Sequence, residues 1–101
     1  MSEWQISYLD VVENFFDNLS DPQFKSLTKE IKLLAKCGNR LRLPHSRALG
    51  DGLFELRERR YGYRIYYIFC KNKEILLLHV GDKKTQVVDI KVARTKLNRM
   101  H

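Results

Sequence analysis

The stretch from Leu53 to Gln86 constrains the fold of this chain more than any other. In Leu53-Phe54-Glu55-Leu56-Arg57-Glu58-Arg59 large apolar and charged residues alternate. A period of two marks a half-buried strand, because successive side chains leave a pleated backbone on opposite sides. Phe54 and Leu56 then share one face, and Glu55, Arg57 and Arg59 the other. The run Tyr63–Phe69 puts Arg64, Tyr66 and Ile68 on one face and Tyr63, Ile65, Tyr67 and Phe69 on the opposite one. After a Lys71-Asn72-Lys73 turn, Glu74–Val80 is nearly all aliphatic, as expected of a strand covered on both sides. An antiparallel three-stranded meander with a cationic face results, and the rest of the chain should back it.

The flanking segments are consistent with that role. Trp4–Tyr8 alternates and predicts a short first strand. Asp10 is placed to cap a helix whose apolar stripe is Val11, Val12, Phe15, Phe16 and Leu19. Ser20-Asp21-Pro22 ends it and starts a second helix to about Cys37, with Asp21 as cap and Pro22 at the first helical position. Phe24, Leu27, Ile31, Leu34 and Ala35 should face inward, and Gly38 should close that helix. Arg40–Gly52 reads as a long loop whose three arginines and His45 could meet phosphates or simply be solvated. Thr85 could cap a last helix to Met100 with Val88, Val92, Ala93 and Leu97 inward. The expected class is α+β: a β-α-α-β-β-β-α order, a helix hairpin on a small, mainly antiparallel sheet, in one domain over residues 1–101.

Nineteen Lys and Arg against twelve Asp and Glu give a net charge of +7, which favours a polyanionic or acidic partner. No apolar run approaches the roughly 20 residues of a membrane helix. The opening Met1-Ser2-Glu3-Trp4 has neither the basic head nor the apolar core of an export signal. A cytoplasmic protein is therefore expected, with Cys37 and Cys70 reduced and no membrane partner. His45, His79 and His101 are scattered and make no metal pattern, so neither a metal nor another cofactor is expected.

The polar face of the meander collects Glu55, Arg57, Arg59, Arg64 and Tyr66, with Lys83 and Lys84 just beyond the third strand. Such a set can grip a phosphodiester, since arginine offers a planar fork to two phosphate oxygens and keeps its charge. RNA carries its own nucleophile, the 2′-hydroxyl. Cations aimed at the phosphorane that forms on attack stabilise it more than they stabilise the ground state. Glu55, a desolvated lysine or a histidine could remove the hydroxyl proton, and the residues alone do not choose. Each also has a structural role open to it: Glu55 and Arg57 in cross-strand ion pairs, His79 in the core, Asp82 in a turn.

Gly52-Leu53-Phe54-Glu55-Leu56-Arg57, Gly62-Tyr63-Arg64-Ile65-Tyr66-Tyr67 and Gly81-Asp82-Lys83-Lys84-Thr85-Gln86, with Asp89-Ile90 and Ala93 after them, resemble the RelE/ParE toxin superfamily. They are most similar to its HigB-like, phage Gp49-like branch, the addiction module killer proteins. The resemblance implies the toxin of a type II toxin–antitoxin pair: a ribosome-dependent, metal-independent mRNA endonuclease acting in the A site and neutralised by a cognate antitoxin. It implies Arg57, Arg64, Lys83 and Glu55 as catalytic residues, with Arg47, Arg59, Lys84 and Tyr66 holding RNA. Glu55 stands where RelE has a lysine, and the tyrosine some relatives use near the C-terminus falls near Asp89, so His45 and His79 join Glu55 as candidate bases. The alternatives are a ParE-like gyrase inhibitor and a catalytically inactive, antitoxin-binding relative.

Overall fold

The computed structural model describes residues 3–100. Its elements are β1 (Gln5–Tyr8), α1 (Asp10–Asp17), α2 (Asp21–Cys37), β2 (Ser46–Gly50), β3 (Leu53–Glu58), β4 (Tyr63–Cys70), β5 (Glu74–Asp82) and α3 (Gln86–Asn98). The strands form one sheet in the order β1-β5-β4-β3-β2, antiparallel except where β1 joins β5 in parallel. The α+β class and the helix hairpin stand as expected. One strand is new. Arg40–Gly52 is not a loop throughout, because Ser46–Gly50 pairs with β3. The Asp51-Gly52 turn explains it: both residues have positive φ (57° and 86°), and Gly50 and Leu53 are paired across them. An Asp-Gly two-residue link with both φ positive is the hairpin turn whose twist suits adjoining strands.

The two faces of the sheet hold separate cores. On one, Val12 of α1 and Leu27 and Leu34 of α2 pack on Leu56, Ile65, Tyr67, Ile75, Leu77 and Val80. On the other, Ala93 and Leu97 of α3 pack on Leu53, Tyr66, Ile68 and Leu78. Helix caps differ from expectation by one position. Ser20, not Asp21, caps α2, its hydroxyl accepting from the Gln23 amide while the Gln23 side chain accepts from the Ser20 amide. Asp10 lies inside the first turn of α1, following Leu9 at the cap position.

Three expected core residues are at the surface. Phe24 is 46% exposed, and Val11, beside the buried Val12, faces out because adjacent helical residues point about 100° apart. Helix α3 buries Asp89, Ala93 and Leu97, a stripe at spacing four that leaves Val88 63% exposed. The helix is thus turned so that a carboxylate, not a valine, meets the sheet.

Candidate functional site

Strand register sets the site. Arg47, Glu55, Tyr66 and His79 stand opposite one another across β2, β3, β4 and β5, and Arg57, Arg64 and Gly81 form the next row. Glu55 is fully buried between them. Its Oε1 accepts from Arg64 Nη1 at 2.9 Å and lies 3.4 Å from Arg47 Nη2, while Oε2 accepts from Gln86 Nε2 at 2.8 Å. The alternation placed Glu55 and Arg57 on one face, as observed, but the ion pairs run to Arg64 and Arg47. Two like-charged arginines are directly opposite each other in the second row, and Glu55 neutralises only one. Among the described residues Arg57 has no carboxylate partner, and the Nε atoms of Arg57 and Arg64 are buried without a hydrogen bond.

Tyr66 is buried beneath this cluster. Its hydroxyl lies beside Glu55, yet no partner meets it in hydrogen-bond geometry. Burial, then the Glu55 and Asp89 carboxylates, push its pKa well up from 10.0, with Arg64 acting against them. Tyr66, expected to hold RNA, is thus placed at the buried floor of this cluster.

A bulge brings His79 to the same face. Tyr66 pairs with His79 but Tyr67 with Leu77, so β5 carries an extra residue, and Leu78 and His79 both face α3. His79 Nε2 meets Asp89 Oδ1 at 2.9 Å, and its Nδ1 is 3.5 Å from Lys96 Nζ. Lys96 also donates to the Leu78 carbonyl at 3.0 Å, and burial lowers its pKa. Asp89 takes a second, short bond from the Thr85 hydroxyl. That hydroxyl therefore does not cap α3; Asp82 caps the preceding 3-10 turn, Lys83–Thr85, through the Lys84 and Thr85 amides. Gly81 makes room for this arrangement, since a β-carbon there would sit 1.9 Å from Asp89 Oδ2.

The remaining candidates divide. Lys83 and Lys84 are exposed at the end of β5, and the Lys83 stem lies along Gly62. Arg59 is exposed in the β3–β4 turn. The His45 carbonyl accepts from the Arg57 amide at 2.8 Å, while its ring faces Glu30 of α2 at 3.4 Å. Among the described residues no three His, Cys, Asp or Glu side chains converge to hold a metal ion. Sequence reasoning missed Gln86 and Glu58. Gln86 sits in the Thr85-Gln86 segment already singled out, but its partner is 31 residues away. Glu58 is buried and accepts from Ser26 Oγ and from the Arg60, Tyr61 and Tyr63 amides, which fixes the β3–β4 turn.

The fold is similar to that of solved RelE toxins. The isolated RelE toxin of E. coli superposes with a TM-score of 0.63 at 17% identity, over 91% of this chain and 98% of that one. The match to the intact E. coli RelBE toxin–antitoxin complex has a TM-score of 0.63 at 14% identity, over 78% and 95%. For the archaeal RelE–RelB complex of Pyrococcus horikoshii OT3 the values are 0.61, 16%, 80% and 96%. The chain belongs to the phage derived protein Gp49-like family (DUF891), which it matches over residues 14–101. Curated protein sequences give no match.

Proposed function

We propose that this protein is the toxin of a type II toxin–antitoxin pair and that it cuts mRNA on the ribosome. The observation that carries the proposal is the Arg57–Arg64 row: two arginines directly opposite each other on adjacent strands, of which only Arg64 is bound to a carboxylate, that of Glu55. A phosphodiester supplies the missing negative charge. The fold shared with RelE toxins solved with their antitoxins supports an antitoxin as partner.

In this mechanism the 2′-hydroxyl passes its proton to water as its oxygen attacks the adjacent phosphorus, and the bond from phosphorus to the 5′-oxygen breaks as that oxygen takes a proton from water, giving a 2′,3′-cyclic phosphate. Arg57, Arg64 and Lys83 stabilise the phosphorane. Because Arg64 is held against Glu55 before substrate arrives, little reorganisation is needed at the moment of reaction. Glu55 is a positioning residue: both of its oxygens are engaged by Arg64, Arg47 and Gln86. His79 is committed to Asp89, and the His45 ring faces Glu30. The chain's own contribution is charge stabilisation. Arg47, Arg59 and Lys84 hold the flanking strand.

A gyrase inhibitor would need no such row. Brief expression in bacteria, with mapping of new mRNA 5′ ends, separates the two. New ends within translated frames that vanish with Arg57→Ala are expected; growth arrest with intact messages and DNA damage would move the assignment to gyrase.

A further inference from the structure

Asp89 is the one acid of α3, and the sheet buries it to 7% exposure. Its two oxygens have different partners. Oδ1 meets His79 Nε2 at 2.9 Å. Lys96 Nζ, an ammonium that can only donate, faces the other ring nitrogen at 3.5 Å, so the ring proton sits on Nε2 and is given to Asp89. Oδ2 takes the single proton of the Thr85 hydroxyl in a short bond, with Asp82 Oδ1 further off at 3.5 Å. These three groups do not make a nucleophile and its base, because the hydroxyl meets the carboxylate and not the ring. The Thr85 oxygen in turn accepts from the Asp82 amide at 3.4 Å, while Asp82 Oδ1 accepts from the Lys84 and Thr85 amides at 2.8 and 3.2 Å. Those bonds close the Lys83–Thr85 turn, and Thr85 ties it to Asp89. Lys83 leaves the turn two residues after Gly81, which stands opposite Arg64, and its stem runs along Gly62. Among the described residues Lys83 is in no salt bridge, so its direction is set by the turn and by Gly62.

We infer that Thr85, held by the buried Asp89 carboxylate, is a positioning residue for Lys83: it fixes the turn that presents Lys83 just beyond the Arg57–Arg64–Gly81 row. The inference rests on the proposed phosphodiester chemistry, in which Lys83 is one of the cations that stabilise the phosphorane. A lysine carries its charge on a long flexible stem, so a loosened backbone beneath it removes the preorganisation on which charge stabilisation depends. Thr85 touches no reacting atom and acts only through Lys83.

The test is a double-mutant cycle on ribosomes programmed with message, with kcat and KM measured for each variant and near-ultraviolet circular dichroism as the check on folding. Thr85→Val removes the hydroxyl at nearly constant volume, and Thr85→Ser keeps it. Thr85→Val should lower kcat about tenfold with KM unchanged, as expected for a misplaced group that acts in the transition state. Thr85→Ser should match the parent. In a Lys83→Ala background Thr85→Val should cost nothing further, whereas in an Arg47→Ala background it should again cost about tenfold. A general loosening of the fold would show equally in both backgrounds. Parent-like kcat in Thr85→Val, an equal loss in Thr85→Ser, or a full further loss beside Lys83→Ala overturns the inference and leaves the nuclease standing. A parent that leaves every message uncut overturns the nuclease instead. The hold on the turn is then read from hydrogen exchange at the Lys84 and Thr85 amides, which Thr85→Val should speed by at least about tenfold; unchanged exchange would overturn that hold as well.

Discussion

Arg64 and Arg57, opposite each other on β3 and β4, are assigned different parts by the proposed function: one is tied to a buried carboxylate and the other is left for substrate. Arg64 is 7% exposed, and its loss would leave the buried Glu55 carboxylate only Arg47, at 3.4 Å, and Gln86. Breaking a buried pair from one side costs about 3–5 kcal/mol, so Arg64→Ala should unfold at markedly lower denaturant. Arg57→Ala, which breaks no ion pair, should keep its midpoint within about 0.5 kcal/mol of the parent while abolishing cleavage. Denaturant titration beside a cleavage assay checks both. The buried tyrosines predict alkaline weakness. Tyr66 and Tyr67 titrate above 10.0 in the folded chain because burial disfavours the phenolate. Below pH 10 both states hold these protons; above it the unfolded chain releases them first, so stability falls as pH rises. Lys96, whose pKa is lowered, works in the opposite direction from a less buried position. The melting temperature should drop between pH 9 and 11, and Tyr66→Phe should flatten the drop. The alternation made the shared face of Glu55 and Arg57 legible. It could not show which arginines Glu55 pairs with, because Arg64 depends on the β3–β4 register and Arg47 on β2, which lies outside the meander.

At the scale of elements, α3 connects the sheet to the site. Asp89 fixes the helix to His79, Gly81 gives Asp89 its space, and Gln86 carries the position of the helix to Glu55. Gly81→Ala forces a β-carbon into the Asp89 carboxylate, and overpacking of this kind costs about 1–3 kcal/mol. Cleavage should fall with stability in that variant. Gln86→Ala should lose about 1.5–3 kcal/mol, as expected for a bond to a charged group, and should slow cleavage by about tenfold without altering the spectrum of the aromatic core. Thermal melts, near-ultraviolet circular dichroism and cleavage rates test the pair. Here the sequence was only partly readable. Helix α3 was visible as an element, but its rotation was not, since Val88 and Asp89 are adjacent and a hydrophobic stripe favours the valine. Strand β2 was hidden among arginines and glycines, although Asp51-Gly52 carried the signal of its hairpin.

For the whole molecule, charge is sorted by commitment rather than by count. Glu58 and Asp82 at the turn are engaged by a hydroxyl and amides, while among the described residues the lysines and arginines beside them make no salt bridge. Composition showed the excess of cations but not where they gather, because Lys25 and Lys29 of α2 and Arg59, Arg60, Lys83 and Lys84 beyond β3 and β5 are far apart in the chain. The central claim is that the Arg57–Arg64 row promotes attack by the RNA's own 2′-hydroxyl. The most direct measurement uses ribosomes programmed with a message that carries a single 2′-deoxynucleotide at the mapped cut. The account predicts normal cleavage of the all-RNA message, leaving a 2′,3′-cyclic phosphate, and no cleavage at the substituted position. Cutting that persists at the deoxynucleotide would contradict it.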